Sequence, residues 1–255
     1  MKNLSGNYNN SLNSRMKRYE SVNQTLLPLN SYVIVRVDGR AFHSYTKGFE
    51  KPFDKKIMDT MDYVTQQLCI DMQNAVLGYV QSDEISILMY DGNNVESEPW
   101  FNNEVEKIVS SSASTATASF NQYMMLRKLY EMGGNCDLLD FEILLKSKQA
   151  KFDSRVFVLP NVDEVVNYFL WRYKDWTRNS INTVGQKYFS HKQLHKKSTD
   201  QVQEMLFQEK GINWNNFSIR EKRGGLCCKT ENGWKMVEMP HVVCNEENEF
   251  YKLII

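Results

Sequence analysis

The sequence lacks several features that would place the protein in a specialised class. Its 255 residues contain no apolar run near the ~20 residues of a membrane-spanning helix. The first fourteen residues are polar and lack the apolar segment of a secretory signal. Lys plus Arg and Asp plus Glu both total 31, so no excess of positive charge indicates a polybasic binder. We therefore expect a soluble globular protein with no membrane partner.

Cysteine is scarce, and its spacing shows no pairing. The five cysteines are an odd number and include no CxxC pair, at positions Cys69, Cys136, Cys227, Cys228 and Cys244. We expect reduced thiols in an intracellular protein. The predicted compartment is the cytoplasm, with an organellar matrix as the alternative.

What the sequence does contain is an alternation of strand-like and helix-like segments. SYVIVRV, residues 31–37, predicts a buried strand. Apolar residues then recur at three- and four-residue steps over 57–72, which predicts an amphipathic helix. AVLGYV and EISILMY predict two strands joined in a hairpin. The small-residue segment 105–130 predicts a helix packed on a sheet, with a Ser/Thr-rich linker as the alternative.

The second half of the chain has a different character. SRVFVLP predicts one more strand, and an aromatic-rich helical stretch follows from Val162. An amphipathic helix ending at Gly211 and several short strands complete the chain. The expected fold class is α+β: a palm-type, ferredoxin-like antiparallel sheet with helices, followed by a helical C-terminal region. We predict a palm-type catalytic domain over 1–150 and a region of helices and short strands over 151–255.

Two short segments place acids at the ends of apolar strands, where a buried charge is costly without compensation. VRVDGRAFH carries Asp38, and YVQSDEISILMY carries Asp83 and Glu84. Adjacent strands of one sheet, separated by a crossover helix, can bring two such acids together. Converging carboxylates repel unless a cation lies between them. Oxygen ligands without nearby His or Cys favour Mg²⁺.

The two acids of the hairpin are expected to have different roles. Side chains alternate along a strand, so Asp83 and Glu84 should face opposite sides. We therefore predict Asp83 as the metal ligand and Glu84 as an accessory acid. A structural alternative stays open, because Asp38 also begins an ordinary Asp-Gly turn and residues 82–84 also fit a solvated hairpin tip.

These segments resemble the tRNA-histidine guanylyltransferase family and its Thg1-like relatives, which add nucleotides to RNA 5′ ends in the 3′-to-5′ direction. VRVDGRAFHSYTKGFEKPFD, followed by YVQSDEISILM, is similar to the motifs of the family's palm-like domain. Four more matches follow in the family's order: FDSRVFVLPN, LWRYKDWTRNS, LFQEKGINWNN and KRGG. The resemblance extends over residues 12–229.

The resemblance implies a role for each matching residue. Asp38, Asp83 and the Gly39 carbonyl match the ligands of two Mg²⁺ ions, and Glu84 matches a neighbouring acid required for activity. The nucleotide-binding positions implied are Gly39, Arg40, Ala41, Phe42 and His43, through their backbone amides, together with Ser82 and Lys107. The alternative for Lys107 is a solvated surface lysine. For His43, a direct catalytic role and a packed, hydrogen-bonded imidazole both stay open.

Local basic segments are the candidates for RNA binding, because the net charge is zero. The predicted tRNA contacts all lie within 151–255: Arg172, Arg178, Asn179, Lys192, Lys196, Lys197 and Arg223. For each basic patch the alternative is a solvated face. His191 and His195 have the spacing of a zinc pair on one helix face, but no third ligand lies nearby in the sequence.

One segment departs from the family pattern. Members devoted to tRNA-histidine carry HINN after the WR element, where this chain has Thr177, Arg178, Asn179 and Ser180. In this respect it resembles the Thg1-like proteins, which extend 5′-truncated tRNAs by copying the opposite strand of the acceptor stem. We therefore predict templated repair of tRNA 5′ ends after activation of the 5′-phosphate with ATP, using ATP and GTP as substrates. The alternative is addition of a single G at position −1 of tRNA-histidine.

Two functions of other classes stay open at this point. A palm-fold nucleotidyl cyclase would place acids at the same two strand positions, and a non-catalytic tRNA- or nucleotide-binding protein could retain them. The resemblance also implies a homotetramer, for which the aromatic segment 168–189 offers an interface.

Overall fold

The structure, a computed structural model, describes residues 12–92, 97–133, 148–243 and 247–254. Its helices are α1 Leu12–Glu20, α2 Phe42–Tyr45, α3 Lys55–Asp71, α4 Val105–Glu131, α5 Val162–Tyr188, α6 His191–Leu194, α7 Thr199–Lys210, α8 Ile219–Arg223 and α9 Glu249–Lys252. Its strands are β1 Tyr32–Gly39, β2 Ala75–Gln81, β3 Glu84–Tyr90, β4 Phe152–Leu159, β5 Gly225–Thr230 and β6 Gly233–Glu238. None of the described helices is long and apolar enough to cross a bilayer.

The six strands form one sheet in the order β4-β1-β3-β2-β5-β6, and each neighbouring pair is antiparallel. Its first four strands alternate with α3 and α4 in a β-α-β-β-α-β order, which confirms the predicted ferredoxin-like palm. Three strands of this sheet follow residue 150 in the chain. The division predicted there therefore runs through one sheet, which both segments share.

Local sequence explains where α3 begins and how α4 packs. The Asp54 carboxylate accepts hydrogen bonds from the N–H groups of Lys56 and Ile57, so it caps the first turn of α3. Along α4, small side chains allow close approach to the sheet, and the Ser112 hydroxyl donates to the Ser154 hydroxyl on β4 over 2.7 Å. Segment 105–130 is thus a packed helix, and the linker alternative is wrong.

The sheet has a helix layer on each face. Helices α3 and α4 cover one face, where Val33, Val35 and Val37 of β1 join a continuous apolar core. Helix α5 covers the other face, where Tyr168 and Phe169 pack in a second core with residues from β1, β2 and β3. Because side chains alternate along each strand, the two faces receive different residues from the same strands.

Helix α7 ends at Gly211, as the sequence predicts, and begins at a capping box. Ser198 and Gln201 form a capping box at the start of α7, and Gly211 ends that helix in the left-handed conformation, with φ of 67°. Within the described residues Cys69, Cys227 and Cys228 are free thiols. The other two cysteines, at positions 136 and 244, lie outside the described residues.

Candidate active site

The two acidic segments meet at one end of the sheet. On β1, Asp38 lies directly opposite Glu84 of β3 on one side and Asp153 of β4 on the other. Asp83 occupies the two-residue turn between β2 and β3, and its carbonyl accepts a hydrogen bond from the Gly39 N–H over 3.1 Å. Strand register therefore brings Asp38, Asp83 and Glu84 together. It also adds Asp153, to which the sequence analysis assigned no role.

Gly39 allows the hairpin tip to approach β1 closely. A Cβ atom at this position would lie 2.9 Å from Oδ2 of Asp83 and 2.5 Å from Cδ2 of Phe42. Ser82, the first residue of the turn, has φ of 49°, in the left-handed region that most side chains avoid. The turn is thus held in a tight conformation that presents the Asp83 carboxylate beside the end of β1.

Electrostatics at the hairpin tip show that the acids interact. Burial raises the pKa of Asp83, a hydrogen bond from Ser82 lowers it, and the charge of Asp38 raises it. The charge of His43 lowers it. A cation between Asp38 and Asp83 would remove the cost of keeping both ionised in this half-buried place.

The donor set at this end of the sheet fits a hard divalent cation. Two carboxylates and the adjacent Gly39 carbonyl supply only oxygen ligands, and Mg²⁺ commonly combines one or two carboxylates with waters and substrate phosphates. Within the described residues no group of three or more His, Cys, Asp or Glu side chains is placed to hold a metal. Any ion here would therefore depend on backbone oxygen, water and substrate for the rest of its ligands.

Glu84 projects to the other side of the hairpin, toward α5, as the alternation rule predicts. Its carboxylate receives two hydrogen bonds from the Arg172 guanidinium, Nε to Oε1 at 2.7 Å and Nη2 to Oε2 at 2.9 Å. Burial raises the pKa of Glu84, whereas the charges of Arg172 and Arg36 lower it. This bidentate pair fixes the orientation of the acid that lies opposite Asp38.

A cavity of about 410 Å³ opens beside the hairpin tip. Gly39, Ala41 and His43 form one side, Ser82 and Asp83 another, and aromatic residues from the α2–α3 connection and α5 close it. Its size and mixed polar and apolar lining are typical of a small-molecule site. Two cations also line the cavity, Lys51 and Arg220, and the sequence analysis assigned neither of them to nucleotide binding.

The loop after β1 provides fewer amide groups than the sequence analysis assigned to it. The Gly39 N–H already donates to Asp83, and the Arg40 N–H donates to the Lys151 carbonyl over 2.8 Å. In the described part of the chain, the amides of Ala41, Phe42 and His43 have no hydrogen-bond partner. Three of the five predicted amides are thus available to a ligand.

The side chains of this loop have distinct surroundings. Phe42 is buried against Phe120 and Phe152 and anchors the loop to the core. His43 is exposed, lines the cavity and lies with its Nε2 3.1 Å from the Ser44 hydroxyl. The imidazole is thus near the Ser44 hydroxyl but is not packed, which argues against the packed alternative for His43.

Lys107 is not near these acids within one chain. It lies in the first turn of α4 and pairs with Glu104, with Nζ 2.8 Å from Oε2. That turn is joined to the segment before β1, since the Leu27 N–H donates to the Asn103 carbonyl. Asp38 is at the opposite end of β1, about 20 Å away at ~3.3 Å per residue.

A basic groove of about 400 Å³ lies between α5 and α7. It brings Arg178 together with Lys197, two predicted tRNA contacts from separate segments. Lys174, one turn before Arg178, lines the same groove and was missed by the sequence analysis. Lys192 and Lys196 are exposed on the neighbouring connection. We call this surface the α5–α7 groove.

The other predicted tRNA contacts differ in accessibility. Arg172 is only 7% exposed and its guanidinium is occupied by Glu84 and Asp175, so it offers no surface to RNA. Arg223 is half-buried beside His241, and Asn179 donates to Asp175. The rings of His191 and His195 lie 6.1 Å apart, and no third metal ligand joins them within the described residues.

Comparisons with known proteins agree with this geometry. The family model described as "Thg1: tRNAHis guanylyltransferase" matches residues 13–160. A solved structure of a bacterial tRNA(His) guanylyltransferase (Thg1)-like protein in complex with ATP is similar, with 38% identity and a TM-score of 0.83, over 96% of this chain and 99% of that one. A complex of such a protein with GTP has 33% identity and a TM-score of 0.74, with the same coverage.

A curated fungal relative extends this result to sequence. The tRNA(His) guanylyltransferase of Debaryomyces hansenii is 31% identical over 224 residues, which are 83% of this chain and 77% of the relative. The family model alone covers more than half of the 255 residues. The chain therefore belongs to the tRNAHis guanylyltransferase (Thg1) family and is a nucleotidyltransferase that adds nucleotides to the 5′ end of tRNA.

Proposed function

We propose that this chain repairs 5′-truncated tRNA by templated nucleotide addition. The observation that carries the proposal is the segment Thr177–Ser180, which stands where members devoted to tRNA-histidine have HINN. Ser180 is fully buried and bonds to the Glu221 carbonyl and the Trp214 indole, so its role is in folding. Arg178 is exposed in the α5–α7 groove, where it suits phosphate contacts that carry no sequence information.

The similarity to bacterial Thg1-like proteins supports the same proposal. It covers nearly the whole chain, including most of the C-terminal residues 161–255 that lie beyond the family model's match. In a templated reaction, pairing with the opposite RNA strand selects the incoming base. The protein then needs to hold the acceptor stem and the nucleotide but does not need to read either sequence.

The acids at the hairpin would hold two Mg²⁺ ions through Asp38, Asp83 and the Gly39 carbonyl. Bound there, the ions would orient the attacking oxygen and stabilise the leaving phosphate group. Glu84, on the opposite side of the turn, supplies a further negative charge beside Asp38. Arg172 keeps that charge oriented and partly compensated.

The cavity beside the hairpin is the proposed nucleotide site. The free amides of Ala41, Phe42 and His43, with the Ser82 hydroxyl, can donate to phosphate oxygens without moving the backbone. Activation joins the RNA 5′-phosphate to the α-phosphate of ATP and releases pyrophosphate. The 3′-hydroxyl of the next nucleotide then attacks the activated 5′-phosphate and AMP leaves, whereas a 5′-triphosphate would react directly and lose pyrophosphate.

Binding of tRNA is assigned to the α5–α7 groove and the adjoining exposed lysines. Lys174, Arg178 and Lys197 line the groove, and Lys192 and Lys196 are exposed between α5 and α7. Contacts of this kind provide affinity that falls steeply with salt. Asn179, which follows Arg178 on α5, and Arg223, which lies beside His241, are proposed as secondary contacts.

A homotetramer would give Lys107 the role predicted for it. Within one chain this lysine lies about 20 Å from Asp38, too far to touch the same phosphate. A neighbouring copy that brings the start of its α4 to the hairpin tip would place a lysine at the nucleotide. We place this assembly in the cytoplasm, with an organellar matrix as the alternative.

The test is a 5′-extension assay with the full chain. The protein is incubated with Mg²⁺, ATP, labelled nucleotides and a tRNA that lacks its first 5′ nucleotide, and the product ends are mapped. We expect addition of the nucleotide complementary to the opposite base, and a different nucleotide when that base is changed. A single G added regardless of the template would favour the guanylyltransferase alternative, and no 5′ extension would overturn the proposal.

Two variants complete this assay. Asp38→Asn should abolish extension, because it removes a predicted metal ligand while keeping the side-chain shape. Asp71→Asn is the matched control, since Asp71 lies at the far end of α3 and contacts Thr115. Equal extension by Asp38→Asn and wild type would refute the assigned metal site.

A further inference from the structure

Arg172 has a different role from the tRNA contact that the sequence predicts. Its side chain is 9% exposed, and that of Glu84 is 13% exposed. Two hydrogen bonds of 2.7 and 2.9 Å join them, a geometry in which the planar guanidinium matches both carboxylate oxygens. An arginine held in this way is not available to a phosphate of RNA.

We propose that Arg172 is a positioning residue that holds the Glu84 carboxylate in its place opposite Asp38. The inference rests on the proposed function, because it matters only if Glu84 takes part in nucleotide addition. Arg172 itself touches neither the cavity wall nor the proposed metal ligands. It acts through Glu84 alone.

The fold supports this role from three sides. Asp175, one turn along α5, accepts a hydrogen bond from Arg172 Nη2 over 3.1 Å and so orients the guanidinium. Gln81, at the end of β2, lies opposite Glu84. With its amide oriented to satisfy both ends, it donates to the Arg172 carbonyl over 2.7 Å, and its oxygen accepts from Nε of the guanidinium over 3.3 Å. The Trp171 ring lies 4.5 Å from the guanidinium carbon. Together these contacts hold the Arg172 guanidinium in the orientation that faces Glu84.

The sheet alone does not fix Glu84. It is the first residue of β3, immediately after the turn, and Asp38 lies opposite it with a like charge. Without a cation on the α5 side, repulsion and the cost of burial would turn the carboxylate toward solvent. Arg172 opposes both effects, which explains why a charged residue occupies a buried position of a helix whose other buried side chains are mostly apolar.

Kinetics can separate positioning from RNA contact. Arg172→Lys keeps the charge but cannot make both hydrogen bonds, and Arg172→Ala removes both. If Arg172 acts through Glu84, kcat for 5′ addition should fall about tenfold for Lys and about 10²-fold for Ala, with KM for tRNA and nucleotide within about twofold. A direct RNA contact would instead raise KM for tRNA and reduce the salt dependence of binding by about one phosphate.

A double substitution tests whether Glu84 transmits the effect. Glu84→Gln should lower kcat, and adding Arg172→Ala to it should lower kcat by less than about twofold further, because nothing remains to be positioned. A residue with a structural role only would give additive losses. Arg127→Lys is the matched control, since Arg127 forms a half-buried pair with Asp59 far from the hairpin. It should leave kcat unchanged.

The outcomes distinguish this inference from the proposed function. An active wild type with unchanged kcat in Arg172→Lys and Arg172→Ala would overturn the positioning role alone, as would additive losses or a raised KM for tRNA only. A wild type that adds no nucleotide would overturn both. Thermal unfolding of each variant verifies that it is folded, and Arg172→Lys carries the test if Arg172→Ala does not fold.

Discussion

The two faces of the central sheet use the same strands but have different chemistry. Toward α3 and α4, β1 and β3 present only aliphatic or thioether side chains, and most are completely buried: Val33, Val35, Val37, Ile85, Ile87 and Met89. Toward α5, Ile34 and Leu88 are equally buried, but the end next to the cavity carries Arg36, Asp38 and Glu84.

The two faces therefore contribute differently: the face toward α3 and α4 stabilises the fold, and the charged end of the face toward α5 carries the candidate site. Removing apolar surface from water stabilises the first face, with no polar group to satisfy. The charged end of the second face lowers stability unless each charge is paired, and a buried ion pair rarely exceeds an apolar replacement in stability. Charges kept at such a cost indicate a functional site.

The largest expected effect comes from neutralising an acid at the hairpin tip. Asp83→Asn should lower the rate of 5′ addition by about 10³-fold, because it removes one predicted cation ligand and one negative charge from the centre of the site. The rate under saturating nucleotide and tRNA is the measurement. Activity within tenfold of the wild type would mean that Asp83 is not a ligand.

Asp83→Asn should not lower the stability of the protein, although it lowers the rate of 5′ addition. Burial raises the pKa of Asp83, so the folded state binds its proton more tightly than the unfolded chain does. The contribution of Asp83 to stability in metal-free buffer is then most favourable below the ordinary pKa of aspartate and is lost as pH rises through the raised folded-state value. Asp83→Asn should unfold at equal or higher urea concentration than the wild type at pH 7, with no gain at pH 3. A clear loss at pH 7 would contradict this.

On the face toward α3 and α4, truncation of a core side chain should lower stability and leave the rate of 5′ addition unchanged. Ile87 is fully buried between α3 and the sheet, so Ile87→Ala should lower the free energy of unfolding by about 2–5 kcal/mol. The folded fraction should retain its rate of 5′ addition. Ile70→Ala is the control, since Ile70 is 61% exposed on α3. A loss above about 0.5 kcal/mol there would argue against the assigned packing.

Strand alternation and helix periodicity predicted the elements of both faces, but not their contacts. Hydrophobic patterns located the strands, the hairpin and the long helices. Which strands pair, and in which register, depends on contacts between distant segments, and that register sets Asp38 opposite Glu84. The resemblance to a family supplied roles for these acids, while the pattern alone left an ordinary turn open.

Within one chain, two residues lie elsewhere than the sequence suggested, and for the same physical reason. Arg172 was a candidate for RNA binding as a basic residue of the aromatic-rich helix, yet it pairs with an acid 88 positions away in the chain. Lys107 was grouped with the phosphate ligands, although β3 carries the chain away from the hairpin tip before α4 begins. Neither the closeness of Arg172 to Glu84 nor the separation of Lys107 from the hairpin tip can be inferred from local sequence, because both depend on how distant segments pack.

A substitution at Gly39, which lies next to both the buried Phe42 ring and the Asp83 carboxylate, is expected to have an intermediate effect on rate and stability. Gly39→Ala places a Cβ 2.5 Å from the Phe42 ring and 2.9 Å from the Asp83 carboxylate, so one of them must shift. Displacement of Asp83 by a few tenths of an ångström should lower the rate of 5′ addition about 10- to 100-fold, and strain should lower stability by about 1–3 kcal/mol. Wild-type rates in a stable variant would show that the site tolerates the displacement.

The smallest effect compares one hydroxyl pair on each face. Ser154 of β4 accepts from Ser112 over 2.7 Å under α4, and Ser86 of β3 bonds to the Tyr168 hydroxyl over 2.8 Å under α5. Ser154→Ala and Ser86→Ala should each lower the free energy of unfolding by about 1 kcal/mol, the ordinary value of one buried hydrogen bond.

The rate of 5′ addition should nevertheless separate the two variants. Ser86 lies two residues after Glu84 on the same face, directly opposite Arg36 of β1. Without its hydroxyl, Tyr168 loses its hydrogen bond, and the turn of α5 that carries Tyr168 and Arg172 can shift. Ser154 faces an apolar layer that contains no acid of the site. We expect about a threefold lower rate for Ser86→Ala and no change for Ser154→Ala. Equal rates would mean that small movements of α5 are not transmitted to the acids.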